Sequence, residues 1–467
     1  MPNPRNVVVI GAGPAGYVCA IRLAQLGQKV AVVEKEALGG TCLNVGCIPS
    51  KAMIVAGGLL EKIQKAAEIG IAVEGVRLDL GKLVSWKDAV VKKHTGGVAT
   101  LFKSHKIEHL VGAGRILGKN KVEVNGAKER RVLECDDIVI ATGSVPMGIP
   151  GFAFDGDKVW SSTDALAPKR VPEHLLVIGA GYIGLELGIL YRKLGSRVTV
   201  IEFTEGALPG QDKDCVKVIE RSLKKMEIDL MTEAAAKSWA KKGKGLEVTV
   251  ELKKGGTKTY ACDQILCTVG RKPYSEGLGL ESIGLKVGDG GFLGVDKQMR
   301  TSVPNVYAIG DIAGQPMLAH KGSKEGLVAA AVIAGKKEAY DARCVPAVIF
   351  TSPEMASVGW SEAEAEKNGR RVKVGQFPFA ASARATSLRE TEGFVKMVVD
   401  ADSDEVLGVH MVGPEVTELI AEAALAIELG ATAEDVARTI HAHPTLPEAV
   451  MEAAESVHKL AIHVFQR

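Results

Sequence analysis

The chain has 467 residues, 46% of them hydrophobic and 24% charged, which is too long for one ordinary domain and has the composition of a globular protein with ample core. A formal net charge of +2 gives no reason to expect nucleic acid or an acidic membrane surface as a partner. Eight cysteines in so long a chain argue against a structural disulfide framework and fit a reducing, cytoplasmic setting.

The chain opens with "NVVVIGAGPAG", residues 6 to 16, a β-branched run feeding Gly11, Gly13 and Gly16 in the G-x-G-x-x-G arrangement. The pattern predicts a buried strand, a tight glycine turn and a helix whose amino terminus can hold a pyrophosphate. Eighteen residues after Gly16, "KVAVVEK" closes the next strand on Glu34, whose carboxylate can accept from adenosine ribose hydroxyls. A strand beginning at residue 6 leaves no space for a charged and apolar leader. The longest apolar stretches, such as "GLVAAAVIAG" (326 to 335), fall short of the roughly 18 to 20 residues that cross a bilayer, so no membrane span is expected.

Next comes "GGTCLNVGCIPSK", residues 39 to 51, with Cys42 and Cys47 five positions apart. An ideal helix would not join them, because five residues rise about 7.5 Å and turn the side chains apart. Gly39, Gly40 and Gly46 permit tight or positive-φ backbone, Asn44 tolerates it, and Pro49 suits a first helical turn. A helix starting here would aim its dipole at the sulfurs and lower a thiol pKa, so a redox pair and two small core residues both remain open. The pair at Cys262 and Cys267 has the same gap in a strand-like stretch, where the Cα atoms would lie roughly 16 Å apart. Those two read as packed thiols, as do Cys19, Cys135, Cys215 and Cys344.

Further along, "LLVIGAGYIG" (175 to 184) repeats the first device with Gly179, Gly181 and Gly184, and "RVTVIEF" supplies Glu202 at the same spacing as Glu34. The repetition extends to "DDIVIATGSVP" (136 to 146) and "DQILCTVGRKP" (263 to 273), which overlay without a gap when Asp137 is set on Gln264 and Gly143 on Gly270. Two related dinucleotide folds are implied. Hydride chemistry suggests a tightly held flavin and an exchangeable nicotinamide, with the flavin beside the cysteine segment. The Glu202 carboxylate would repel a 2′-phosphate, and no arginine follows it in "EFTEGALPG", which favours NAD over NADP. The lysine-rich stretch from 237 to 258 flanks an alternating "LEVTVEL" and reads as a solvated hairpin. Near the end, "HAHPTLPEA" offers His441 and His443 as bases, while "TLPE" equally fits a capping box in which Glu448 reaches back to the backbone.

Taken together, "GGTCLNVGCIPSK", both glycine fingerprints, "ATGS", "VYAIGDIAGQPMLAH" (306 to 320) and "HAHPTLPE" (441 to 448) resemble the pyridine nucleotide-disulfide oxidoreductases almost end to end, and most closely the dihydrolipoamide dehydrogenases among them. The resemblance implies an α/β protein: two Rossmann-like dinucleotide-binding domains plus a C-terminal α+β dimerisation domain. It sets an FAD domain at 1–148, an NAD domain at 149–270, a central segment completing the FAD site at 271–345 and the interface domain at 346–467. It implies that Cys42 exchanges with substrate, Cys47 faces the flavin, and His443 with Glu448 forms the base. Lys51 and Asp311 would approach the flavin and its ribityl chain, and Glu186 the nicotinamide. Met317, Leu318, Ala319 and His320 would form a further flavin-side segment. Gly112, Ala113, Thr142, Gly143, Ser144 and Gly270 complete the cofactor-binding positions that it implies.

The expected reaction is oxidation of a dihydrolipoyl group by a homodimer using FAD and NAD. Its carriers would be the lipoyl domains of acyltransferase subunits or the glycine cleavage carrier protein. Nearby alternatives fit less well. Glutathione-type reductases would suit a basic residue near Glu202, mercuric and large thioredoxin reductases a cysteine in "HKLAIHVFQR", and transhydrogenases would lack the first cysteine pair. A flavoprotein acting only as a scaffold would not need thiols, base and both nucleotide sites together.

Overall fold

The computed structural model describes residues 4–127 and 129–465; the ends of the expected FAD and interface domains, with Lys128, lie outside the described residues. The run "NVVVI" forms a strand, Asn6–Ile10, at the centre of a parallel sheet. Val7 to Ile10 are all buried, because a parallel sheet covered on both faces selects continuous β-branched runs. Its sheet order is Val306–Ala308, Asp137–Ile140, Asn6–Ile10, Lys29–Glu34, Glu108–Val111. Helix α1 (Pro14–Gln25) follows the first glycine loop; α2 (Gly40–Val45), α3 (Cys47–Gln64) and α4 (Leu80–Ser104) follow Glu34.

A second parallel sheet has the order Asp229–Met231, Arg197–Ile201, His174–Ile178, Gln264–Cys267, Val159–Trp160, flanked by α5 (Tyr182–Lys193) and α6 (Lys213–Lys225). The register carries the internal repeat: Val7 pairs with Asp137 in the first sheet and Leu175 with Gln264 in the second. Each half also carries a three-stranded antiparallel meander. The lysine-rich stretch is part of the second one, with Lys237 on Glu251 and Lys242 on Glu247 across the hairpin. The overlaid tails Ser144–Pro146 and Arg271–Pro273 pair with one another, antiparallel. The chain then returns to the first sheet through Val306–Ala308, and α7 (Ala319–Ile333) packs on α1, where glycine makes the approach possible: a Cβ at Gly326 would lie 2.7 Å from the Ala15 carbonyl.

The last unit is a five-stranded antiparallel sheet with α8 (Glu362–Lys367), α9 (Ala383–Leu388), α10 (Val416–Leu429), α11 (Ala433–Arg438) and α12 (Glu448–Val457). It opens with two strands, Ala347–Ile349 and Glu354–Gly359, before α8, because "EMASVG" pairs with Val406–Gly413. Helix α10 buries Leu419, Ile420, Ala423 and Ile427 against this sheet while Leu425 and Leu429 stay exposed, so one face is core and another is apolar and open.

One span among the described residues, Gly40–Gln64, is long and apolar enough for a bilayer by length and composition, although no unbroken apolar run marks it in the sequence. It is two helices broken at Gly46 (φ −136°, ψ −115°), and it carries Cys42, Cys47 and Lys51 on the wall of an internal cavity.

Candidate functional site: a dithiol cavity between two glycine loops

A cavity of about 250 Å³ opens between the two halves, and both Cys42 and Cys47 line it. Cys42 lies within α2 and Cys47 is the first residue of α3. Gly39 and Gly40 take positive φ of 93° and 55°, as the sequence suggested. Gly46 and Asn44 act differently from expectation. Gly46 keeps a negative φ but must lack a side chain, since a Cβ would lie 2.9 Å from the Thr41 carbonyl. Asn44 is helical, and its amide donates to the Leu38 and Gly40 carbonyls at 2.9 Å each, which clamps the turn.

The two thiols are unequal. The Cys42 thiol donates to Cys47, and that hydrogen bond, with the Lys51 ammonium and the Cys47 amide, lowers Cys47 to about 7 against the opposing push of burial. The same bond and burial drive Cys42 strongly upward. Near neutral pH the pair is therefore a Cys47 thiolate holding a Cys42 thiol. The pair at Cys262 and Cys267 behaves otherwise: each ends a strand of a different sheet, both are buried free thiols, and burial pushes Cys262 up to about 12.

Lys51 reaches from α3 to α5, with Nζ 2.7 Å from Glu186 Oε2 and 4.5 Å from the centre of the Phe350 ring. The buried Glu186 also accepts from the Phe350 amide at 2.9 Å, so a single carboxylate ties the cysteine helix, the second glycine helix and the carboxyl-terminal unit. On the opposite wall, the Ser144 hydroxyl donates to Asp311 at 2.5 Å, and Arg271 donates to both the hydroxyl and the carbonyl of Ser144. Thr142 donates to the Tyr274 carbonyl at 2.7 Å, and Tyr274 donates back to Gly143.

Arg271, Tyr182 and Tyr274 also line the cavity and were missed from the sequence. The repeat held the signal for two of them: Arg271 overlays Ser144, and Tyr182 takes the helix-opening place of Pro14. Met317, Leu318 and Ala319 line the cavity as well. His320 does not; its Nε2 meets the Pro346 carbonyl at 2.7 Å on an exposed surface. Gly112 is buried beneath a hairpin, where a Cβ would lie 2.7 Å from the Asn125 carbonyl, and Ala113 beside it is exposed.

Both glycine loops suit a dinucleotide. A Cβ on Gly16 would fall 2.0 Å from the Gly11 carbonyl, and one on Gly184 2.1 Å from that of Gly179, so strand, loop and helix pack as closely as backbone permits. Helices α1 and α5 follow Gly13 and Gly181 at the N-cap position, with no side-chain cap and no acid in the first turn. That leaves amide donors for a pyrophosphate. Gly270 follows the second return strand with φ 130°, facing the Met147 side chain. Glu34 and Glu202 are buried, and each grips its own loop: Glu34 accepts from the Ala12 amide at 2.8 Å, Glu202 from the Ala180 amide at 2.6 Å.

His443 Nδ1 lies 2.8 Å from Glu448 Oε1, while Glu448 Oε2 accepts from the Thr445 amide at 2.7 Å. The dyad and half of the capping box coexist on one carboxylate. Thr445 itself donates to the Ala442 carbonyl and does not cap α12. Against the upward push of burial, the Thr445 amide and His443 hold the Glu448 carboxyl below its ordinary range. His443 is 73% exposed and off the cavity wall, whereas the His441 ring is buried between Glu422 and the Thr439 carbonyl.

Residues 5–326 match the family described as pyridine nucleotide-disulphide oxidoreductase, and residues 345–454 match its dimerisation domain, which supports a homodimer. The chain is 50% identical to a dihydrolipoyl dehydrogenase of Thermus scotoductus, covering 99% of each, and 47% identical to one of Haloferax volcanii, covering 99% of this chain and 98% of that one. The crystal structure of LpdA from Mycobacterium tuberculosis superposes with a TM-score of 0.90 at 28% identity, covering 96% of this chain and 99% of that one. With its two glycine loops, its dithiol and its dimerisation unit, the chain belongs to the pyridine nucleotide-disulphide oxidoreductases, flavin enzymes that use FAD and NAD.

Proposed function

We propose that the chain is a dihydrolipoyl dehydrogenase of the cytoplasm, oxidising dihydrolipoyl groups carried by the lipoyl domains of acyltransferase subunits or by a glycine cleavage carrier protein. The observation that carries this reading is the unequal dithiol on the cavity wall, with Cys47 as thiolate and Cys42 as thiol. In the oxidised state Cys42 and Cys47 form a disulfide. His443, oriented through Nδ1 by Glu448, takes a proton from a substrate thiol on its other nitrogen. The substrate thiolate attacks Cys42 Sγ and releases Cys47 as a thiolate, which Lys51 stabilises. His443 passes this first proton to solvent and takes the proton of the second substrate thiol; that sulfur attacks the first and releases Cys42, which receives the second proton from His443, and the substrate leaves as a cyclic disulfide. This order ends in the protonation pattern described above. FAD, held beside Cys47 by the first glycine loop, would supply the acceptor for the electron pair of the dithiol, and NAD, held by the second, would supply the final hydride acceptor.

For the cofactors, we assign Gly11, Gly13, Gly16, Glu34, Lys51, Gly112, Ala113, Thr142, Gly143, Ser144, Asp311 and residues 317–320 to FAD. Gly179, Gly181, Gly184, Glu186, Glu202 and Gly270 are assigned to NAD. The divisions at 148, 270 and 345 separate the functional units. His443 serves the dithiol of the other subunit, a reading supported by its exposure away from its own cavity. The test is dihydrolipoamide-dependent NAD reduction. Cys42→Ser and His443→Ala homodimers should each be inactive. A hybrid dimer of the two should regain about half the parental activity, because one of its two symmetric sites escapes both lesions. Failure of the parent to oxidise dihydrolipoamide would overturn the activity, and a silent hybrid would overturn the shared site.

A further inference from the structure

Ala180, between the first two glycines of the second loop, is held through both of its backbone polar groups: its amide donates to Glu202, and its carbonyl accepts from the Leu208 amide at 2.9 Å. The first loop is held alike at Ala12, whose carbonyl accepts from the Gly39 amide at 2.8 Å. The two clamps differ in strain. Gly39 takes its φ of 93° freely, whereas Leu208 is a buried leucine at φ 48°, a left-handed backbone that a β-carbon disfavours and that persists only where the surroundings enforce it. A restraint on that turn comes from the carboxyl-terminal unit. The Leu208 carbonyl accepts from the Gln211 amide at 3.1 Å, and Asp212 follows, its Oδ1 capping α6 through the Asp214 and Cys215 amides at 3.1 Å each. Asp212 Oδ2 lies 2.5 Å from Nζ of Lys396, on the buried strand Phe394–Asp400. Lys396 also meets Asp214 at 3.1 Å and Glu362, of its own unit, at 3.2 Å. Burial works to lower the Lys396 pKa, but the carboxylates outweigh it and raise it, so the ammonium stays charged.

Resting on the assignment of the second glycine loop to NAD, we propose that Lys396 is a positioning residue for NAD: anchored on the sheet of the dimerisation unit, it grips Asp212, and so keeps Leu208 against Ala180 and the loop in the shape that takes a pyrophosphate. The carboxyl-terminal unit thereby sets NAD affinity through one buried ion pair. Loss of the ammonium leaves Asp212 facing Asp214 and Glu362 uncompensated, and their repulsion lets the segment from 203 to 212 relax out of its left-handed turn. Glu362 shares the same lysine but stands outside that segment, so its charge is expendable for NAD.

The test is calorimetric titration of NAD into the oxidised, FAD-loaded full-length dimer, alongside steady-state kinetics. Lys396→Met should raise the NAD dissociation constant and the KM for NAD about fivefold or more, the lower end of coupling between separate sites. Flavin content and the anaerobic reduction of flavin by dihydrolipoamide should stay parental. Asp212→Asn, which keeps the cap and drops the ion pair, should weaken NAD likewise, and the double variant should be no worse than Lys396→Met, since both lesions break one link. Lys396→Arg, which keeps the charge, should bind NAD more tightly than Lys396→Met, and Glu362→Gln should bind it as the parent does. Parental NAD affinity in a folded Lys396→Met dimer, or in Asp212→Asn should Lys396→Met fail to fold, overturns the proposal. So does equal weakening by Glu362→Gln, the mark of a cluster that only stabilises the fold. Gly184→Val separates the two levels of inference. If NAD binding survives there, the NAD assignment fails and this inference falls with it. If binding is lost there but Lys396→Met and Asp212→Asn leave it parental, only the role of Lys396 is lost.

Discussion

The two glycine loops are nearly the same backbone in different surroundings. In each, the first glycine takes a positive φ, 104° at Gly11 and 99° at Gly179, and a buried glutamate grips the amide of the residue between the first two glycines. The difference lies above the loop. A Cβ on Gly40 would lie 2.6 Å from the Gly13 Cα, so α2 roofs the first loop, whereas a Cβ on Gly181 would meet nothing within 4 Å. Helix α7 closes the first loop from the other side through Gly322, where a Cβ would lie 3.1 Å from the Ala15 Cβ. A fingerprint therefore says that a dinucleotide binds; the enclosure around it says whether that dinucleotide stays. The roof is the cysteine segment itself, so the cofactor that is held is also the one beside the dithiol.

The largest test of this contrast places the same lesion in both loops. Gly16→Val and Gly184→Val each drive a side chain into a carbonyl about 2 Å away. The first should give protein that purifies without flavin colour and is inactive. The second should keep its colour and its reducible dithiol yet lose NADH binding by at least about a hundredfold, as expected when about 3 kcal/mol of loop contacts are lost. Loss of flavin from both would show that enclosure does not distinguish the sites. Absorbance and NADH fluorescence titration are sufficient readouts.

A smaller effect is expected where the roof meets the second half. Lys51 lowers Cys47, and Glu186 opposes it, so Lys51→Met removes the helpful charge and leaves the opposing one. The Cys47 pKa should rise by about one unit. In the reduced parent, iodoacetamide should label Cys47 at a rate that climbs through about pH 7, where the thiolate forms, and falls as the pH drops below it. In Lys51→Met the climb should come later, cutting labelling at neutral pH by about fivefold. Cys262 and Cys267 should remain unlabelled in the folded protein, since both are buried with raised pKa values. Unchanged labelling in Lys51→Met would remove the ammonium from the account of the thiolate.

Much of this arrangement is legible in the sequence. The gapless overlay of Asp137 on Gln264 anticipates the strand register, and the spacing of Glu34 and Glu202 marks both buried acids. What the sequence withholds depends on elements distant in the chain. Glu186 bonds the Phe350 amide, Arg271 bonds Ser144, and the tail returns to Glu452. No local pattern reports such contacts, because each side chain has an ordinary reading in its own segment. The cysteine pair shows the same boundary from the other side: spacing is identical at Cys42/Cys47 and Cys262/Cys267, and only the break at Gly46 against two separate strands tells them apart.

A further test of the contrast concerns the acids that grip the loops. Glu202 accepts from the Ala180 amide at 2.6 Å with one oxygen and from the Thr204 amide and hydroxyl with the other. Glu202→Gln keeps the shape but turns one acceptor into a donor. If the amide oxygen stays on Ala180, the new NH2 faces the Thr204 amide, and one buried donor is left unpaired at a cost of about 1 to 3 kcal/mol. NADH affinity should fall about tenfold or somewhat more, while loss of the negative charge removes repulsion toward a 2′-phosphate and NADPH affinity should fall less or rise. The diagnostic quantity is the ratio of the two dissociation constants, which a general loosening of the loop would leave unchanged. Glu34→Gln disturbs the same kind of pair, with Ala12 and Glu36 as donors. There α2 and α7 remain in place, so flavin should stay bound in stoichiometric amount. If Glu34→Gln sheds its flavin as readily as Glu202→Gln weakens NADH, the acid rather than the roof holds the first dinucleotide.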